Sequence, residues 1–267
     1  MNYEKMISRA NPGLIVLVLD DSASMADDLL GTSDPKYKWV ERYCGIILDD
    51  LLERSSDVKG NDVVVKPRYY LHVIKYGSTP ELWGSQEMDI QTAVEMFSHC
   101  GNSLGLGGNL GSTDAKTAFE EAYNYLQQAL TTERFKDSFP PMLLHLTDGE
   151  SQTDASNVAD QVKQLSTKDG NVLVVNAYIG TQTSLNYKAP DDFPGYLDVS
   201  EAGSSQYNIR LFEMSSQAPE SITTNLKSDD IFPQLRSDAR LFFDVRTKEM
   251  LKNVIQVVSS MGSRMER

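Results

Sequence analysis

The stretch LIVLVLDDSASMADDLL, residues 14–30, decides how the rest of the chain reads. Leu14 to Leu19 are apolar without a break, and they give way at once to Asp20, Asp21, Ser22, Ala23 and Ser24. A near-continuous apolar run of this length fits a strand covered on both faces, as in a parallel sheet. Acids and hydroxyls at the end of such a strand are unusual unless something there needs oxygen atoms.

Working outward, similar runs recur. Gly13–Asp20 is the first strand, followed by Tyr69–Tyr76, Met142–Thr147 and Asn171–Ile179. Arg240–Val245 is a further strand, and Pro80–Trp83 reads as a short edge strand. Helical stripes lie between them. Val40, Tyr43, Cys44, Ile47, Leu48 and Leu51 form one; Ala115, Ala118, Phe119, Ala122 and Leu126 a second. Val158, Val162 and Leu165 form a third, and Met250, Leu251, Val254, Ile255 and Val258 the last. Each stripe is expected to face the sheet. Asp34-Pro35 predicts an N-cap followed by proline at the first helical position.

Strands alternating with helices predict an α/β fold with a doubly wound, mainly parallel six-stranded sheet flanked by helices. Residues 1–267 read as a single domain. Gly180–Asp238 is the least regular part, an insertion with some structure or a functional surface loop.

The net charge of −13 and pI near 4.7 disfavour nucleic acid and anionic membranes as partners. No apolar run approaches the roughly 18 residues of a membrane span. The N-terminal MNYEKMISRANPG lacks the apolar centre of a secretion signal. Cys44 and Cys100 make no disulfide framework. A cytoplasmic location is the expectation.

Three separated segments then bring oxygen atoms to one end of the sheet. Asp20, Ser22 and Ser24 follow the first strand, Asp148-Gly149 follows Met142–Thr147, and Thr113 stands at a loop-to-helix junction in GNLGSTDAKTAF. Open α/β sheets bind ligands beyond the carboxyl ends of strands, where the winding reverses. Oxygen-only ligands suit Mg²⁺ or Mn²⁺ better than zinc. Taken singly, each fragment has an ordinary reading as a turn or helix cap; their order and spacing together argue for a shared purpose.

That set resembles the von Willebrand factor A (vWA) domain and its metal-ion-dependent adhesion site (MIDAS). The family pattern is Asp-x-Ser-x-Ser after the first strand, a Thr before a later helix, and Asp-Gly after the fourth strand. Here DDSASM, GSTDAKTAF and LTDGE match it at Asp20, Ser22, Ser24, Thr113 and Asp148. The likeness covers Gly13–Gly180 and extends to the final strand and helix, but is weak over Thr181–Asp238.

The resemblance implies a vWA/Rossmann-like fold and a divalent cation, Mg²⁺ or Mn²⁺, held by those five residues, Asp148 directly or through water. It further implies a protein partner whose Glu or Asp carboxylate completes the ion's shell. The chain looks most similar to bacterial stand-alone members, such as the tellurite-resistance type. That implies a metal-dependent protein-interaction module in a stress-response or defence system, and not an enzyme. A metal-dependent hydrolase using the same ion, and a scaffold binding through other surfaces, stand as alternatives.

Other signals weigh less. Gly101-Asn102-Ser103-Leu104-Gly105 matches G-x-S-x-G but follows a helical end, not a strand. GLGGNLGST has no Lys before its Ser-Thr and reads as a flexible loop beside Thr113, able to shift when the metal is ligated. Asp20-Asp21 lacks the second Asp of aspartyl phosphatases, because Ser22 stands there. Asp21 reads as the spacer. His145 and His72 read as satisfied core residues, Cys44 as packing, and His99-Cys100 lacks further zinc ligands. Asp27, Asp28, Glu150 and Asp154 are acids near the proposed ion or solvated caps. Asp191 and Asp192 are a solvated loop or a partner-facing patch.

Overall fold

The first strand, β1 (Gly13–Asp20), is buried along its whole length, as its unbroken apolar run requires. It pairs in parallel with β4 (Tyr69–Tyr76) on one side, where Asp20 lies opposite Tyr76. On the other side it pairs in parallel with β6 (Met142–Thr147), Leu19 opposite Leu146. The computed structural model describes residues 3–60, 62–149, 151–180 and 189–260.

Outside these three lie β5 (Pro80–Asp89), β7 (Leu173–Ile179) and β8 (Phe242–Val245), giving a six-stranded sheet in the order β5-β4-β1-β6-β7-β8. All neighbours are parallel except the edge strand β5, which is antiparallel to β4. The α/β, doubly wound, mainly parallel sheet expected from the sequence is the observed fold.

Details differ. β5 runs to Asp89, well beyond Trp83, because an antiparallel edge can carry polar residues on its solvent face. β7 starts at Leu173 instead of Asn171, since Asn171 bridges back to Ser166 and closes a turn. β8 starts at Phe242; Arg240 forms isolated bridges to Tyr196 and Gln217. A separate antiparallel hairpin, β2 (Ser56–Lys59) with β3 (Asp62–Val65), was not anticipated, and its Val58 and Val63 are exposed.

Helices cover both faces. Ile15, Leu17 and Leu19 of β1 pack towards α1 (Lys36–Arg54), α2 (Ile90–His99), α6 (Glu220–Ser228) and α7 (Lys248–Gln256). Leu14, Val16 and Val18 pack on the other face with α3 (Ala115–Ala129), α4 (Ser156–Gln164) and α5 (Gln206–Met214). The period-2 alternation of a strand thus feeds two separate cores. The predicted stripes are buried, apart from half-buried Leu165, which caps α4. The start of α1 is a correction: Pro35 is the N-cap, with extended ψ of 148°, and Lys36 is the first helical residue. Asp34 makes no cap; its carboxylate lies 3.7 Å from the Lys38 ammonium and its carbonyl accepts the Leu29 N–H.

The described part of Gly180–Asp238 is more ordered than its sequence suggested. It holds a 3₁₀ turn at Pro190–Asp192, then α5 and α6, one for each core; residues 181–188 lie outside the described residues. Among the described residues no helix is long and apolar enough to cross a membrane.

Leu144 lies fully buried at the middle of β6. Leu144→Ala is expected to lower the unfolding free energy by about 3 kcal/mol through lost transfer energy and a residual cavity. Urea denaturation should show a lower midpoint with an unchanged slope.

Candidate metal centre

The strand order reverses at β1, which has β4 on one side and β6 on the other, so the carboxyl ends of β1 and β6 form the switch point of the sheet. Asp20 is fully buried there. Its Oδ1 accepts the Ser22 backbone N–H at 2.8 Å and its Oδ2 accepts the Thr147 hydroxyl at 2.6 Å. The Ser22 and Ser24 hydroxyls lie 3.2 Å apart, and Ser24 donates to Asp148 Oδ1 at 2.7 Å.

Thr113 closes the set through a glycine. A Cβ at Gly149 would sit 3.4 Å from Thr113 Oγ1 and 3.5 Å from Ser24 Oγ. Because Gly149 has none, both hydroxyls border the gap that a methyl group would fill. The structure therefore brings Asp20, Ser22, Ser24 and Asp148 into one hydrogen-bonded cluster and places Thr113 at its rim. Thr147 is an added member, since it fixes the Asp20 carboxylate.

The sequence reading missed the cation already present. Lys36 is only 1% exposed, and its Nζ donates to Asp148 Oδ2 at 2.6 Å and to the Ser24 carbonyl at 3.0 Å. The exposed Asp27 carboxylate stands 3.8 Å from the same ammonium. A lysine in the first turn of a helix opposes the helix dipole. That mismatch was the one hint, and a buried carboxylate resolves it. Asp20 and Asp148 against Lys36 leave the cluster one negative charge in excess. Burial raises the Asp20 carboxyl to about 6, the hydrogen bonds from Ser22 and Thr147 oppose this, and the Asp148 charge adds to it.

Asp21 is more than a spacer. It is buried, and its Oδ1 accepts the N–H groups of Gly107 at 2.7 Å and Gly108 at 2.6 Å. Its carbonyl accepts Leu110 N–H, and Ala23 N–H donates to the Gly111 carbonyl. Glu41 of α1 holds the other end of the loop, accepting Ser103 Oγ at 2.6 Å, Leu104 N at 3.0 Å and Leu106 N at 2.9 Å. The glycine-rich loop is thus tied at both ends by buried or half-buried carboxylates. Gly108 has φ of +68°, and a Cβ there would come within 2.9 Å of the Ala26 side chain, so only glycine fits. Ser103 has its hydroxyl committed to Glu41, in keeping with the rejection of a nucleophile elbow.

Beneath the cluster runs a buried polar chain. Asn176 Nδ2 donates to Ser215 Oγ and the Leu211 carbonyl, which turns Oδ1 towards His145 Nδ1, 2.8 Å away. His145 Nδ1 therefore carries the proton, and Nε2 accepts from the Tyr76 hydroxyl at 2.7 Å. Burial holds His145 down at about 4, so it is neutral and satisfied.

His72 is buried too, but its Nε2 finds no partner among the described residues. Cys44 is a packing residue whose thiol burial pushes up to about 12. His99 bonds the Glu95 carbonyl, Asp154 the Ser156 N–H, and Asp191 and Asp192 are exposed. Asp28 pairs through its backbone with Pro35. Glu150 lies outside the described residues. Among the described residues no group of three or more His, Cys, Asp or Glu converges; the donor set is two carboxylates and three hydroxyls.

No family model matches this chain. No curated protein matches it either. Solved structures do share its fold. Proximal thread matrix protein 1 from the mussel byssus, in its second crystal form, superposes with TM-score 0.54 at 12% identity, covering 96% of this chain and 48% of that one. The same mussel protein with a zinc-occupied MIDAS motif gives 0.52 at 12% identity, covering 96% and 47%. A point mutant of the PilB minor pilin from Streptococcus sanguinis gives 0.53 at 10% identity, covering 92% and 60%. This chain spans only about half the length of the mussel structures and three fifths of the pilin. At such identities the likeness shows the fold alone.

Two outcomes follow from the site's hydrogen bonds. Asp21→Ala should cost about 2 kcal/mol, because it orphans buried N–H groups, and hydrogen exchange at Gly107 and Gly108 should quicken. His145 gives a pH signature. Between 6.5 and about 4 the unfolded chain takes up a proton that folded His145 refuses. Its contribution is therefore lost as pH falls through that window, by up to about 3 kcal/mol. Asp20, raised from 3.8 to about 6, acts in the opposite sense. Comparing unfolding free energy against pH for wild type and His145→Gln isolates the histidine; the variant should be less destabilised by acid.

Proposed function

We propose that this chain is a metal-dependent protein-interaction module. Asp20, Ser22, Ser24, Thr113 and, directly or through water, Asp148 would hold Mg²⁺ or Mn²⁺. A Glu or Asp side chain of a protein partner would complete the shell. The observation that carries this reading is the convergence of the Ser22, Ser24 and Asp148 oxygens beside the open face of Gly149, with Thr113 across from it. The zinc-occupied MIDAS motif of the structurally similar mussel protein supports the metal part. The hard oxygen donors favour Mg²⁺ or Mn²⁺ over zinc.

The donor set fits such an ion, with one qualification from charge. Two carboxylates balance a divalent cation, and Lys36 then adds one positive charge nearby. When bound, the ion supplies a Lewis-acidic position that seeks an anion, and Lys36 strengthens that preference while opposing the ion itself. The chain's net charge of −13 does not cancel this pull. Diffuse surface charge is screened beyond about 10 Å at 0.1 M salt.

Binding without turnover is the reading the side chains favour. Both Asp20 oxygens are engaged, Lys36 is buried in its ion pair, and His145 Nε2 accepts the Tyr76 hydroxyl. None of these three groups is free to serve as a general base for a metal-activated water. The cytoplasmic setting in a bacterial stress-response or defence system is the part of the proposal supported by the sequence resemblance alone.

Calorimetric titration of Mg²⁺ and Mn²⁺ tests the metal site. Wild type should bind one equivalent and Asp20→Ala should bind none. Equal binding by both proteins would refute the assignment. Lys36→Met removes the competing charge and should tighten Mg²⁺ on the order of tenfold.

A further inference from the structure

We propose that the cleft beside the candidate metal centre receives a second carboxylate, bound by Arg210, so that the ligand is an acidic protein segment presenting two neighbouring carboxylates. This deepens the metal-centre reading and rests on it for the first carboxylate.

The cleft lies between the carboxyl end of β6 and the α3–α4–α5 layer and is open to solvent. Thr147 and Gly149 form one wall, Arg210 of α5 lines it from that helix, and His145, Leu211 and Met214 also line it. Two of these residues belong to the metal centre as well. Thr147 fixes the Asp20 carboxylate, and the open face of Gly149 looks onto Ser24 and Thr113. The cleft and the centre therefore share two residues, Thr147 and Gly149.

Arg210 is the cationic group of the cleft, and Asp154, which also lines it, is within reach of its charge. Arg210 is half-buried, and among the described residues no carboxylate is in ion-pairing contact with it. Most other arginines among the described residues are occupied, exposed Arg9 being an exception. Arg54, Arg68, Arg134, Arg236 and Arg246 each pair with an Asp or Glu. Arg240 donates to the Glu213 and Ser215 carbonyls, and Arg42 lies over Trp39. Asp154 feels the Arg210 charge from beyond ion-pair distance, while its Oδ1 accepts the Ser156 N–H at 2.9 Å.

A guanidinium always carries its charge and offers a planar fork of donors matched to a carboxylate. Leu211 and Met214 supply apolar surface for the methylenes between two acidic groups. Positive potential at both ends, from ion and guanidinium, selects a doubly acidic ligand over a singly acidic one.

The test uses glutarate, butyrate and a capped diglutamate peptide as probes, titrated into Mg²⁺-saturated protein and followed by NMR shifts. Wild type should bind glutarate about fivefold tighter than butyrate. Arg210→Gln should erase that preference while leaving the Mg²⁺ isotherm unchanged, and Arg210→Lys should keep part of it. Peptide binding tighter than glutarate assigns the carboxylates to a protein segment; the reverse order assigns them to a small dicarboxylate and overturns the protein source. Equal affinity of wild type for glutarate and butyrate, or an unaltered preference in Arg210→Gln, overturns the role of the cleft with the metal reading intact. Mg²⁺ binding that survives in Asp20→Ala overturns the metal reading instead.

Discussion

Two carboxylates and one ammonium removed from water at the switch point of the sheet constrain everything built around them. Burying such charges is costly unless each is paired and its remaining lone pairs are filled. Asp20 is satisfied by a backbone N–H and by Thr147, and Asp148 by Lys36 and Ser24. The Lys36 ammonium in turn reaches the Ser24 carbonyl. Each partner comes from a different element, so β1, β6 and α1 must meet in one geometry for the charges to be tolerated. The apolar strands supply the energy of the fold, whereas this cluster fixes how their ends are arranged.

The same logic explains the loop around residues 103–111. Its backbone N–H groups cannot pair within a helix or strand, yet several are screened from water. Asp21 and Glu41 collect them, two N–H groups for one carboxylate oxygen and two N–H groups plus a hydroxyl for the other. Acids next to the candidate ligands thus serve the scaffold. That division separates Asp20, whose carboxylate faces the cluster, from its neighbour Asp21, whose carboxylate faces the loop.

Much of this was legible in the sequence because the governing signals are local. Parallel strands covered on both faces read as apolar runs, and β1, β4 and β6 have the bounds expected from them. Asp20, Ser22, Ser24, Thr113 and Asp148 stood out because each lies at the end of an element. What was not legible depends on distant pairing. Lys36 meets a partner 112 residues away, and Asp21 meets glycines 86 and 87 residues on. The β2–β3 hairpin escaped notice because Val58, Val63 and Val64 are exposed and only Val65 packs against the core. Arg210 carried no local signal, as its interest lies in the pairing it lacks.

Helix α1 carries both Lys36 and Glu41, one on the cluster and one on the loop. Five residues of helix separate them by about 7.5 Å of axial rise, a spacing that loops and side chains cannot alter. The helix is in effect a strut with a cation at one bearing and an anion at the other. Any sliding of the strut strains both bearings at once, so the ion-pair cluster and the glycine-rich loop should hold or yield as one mechanical unit.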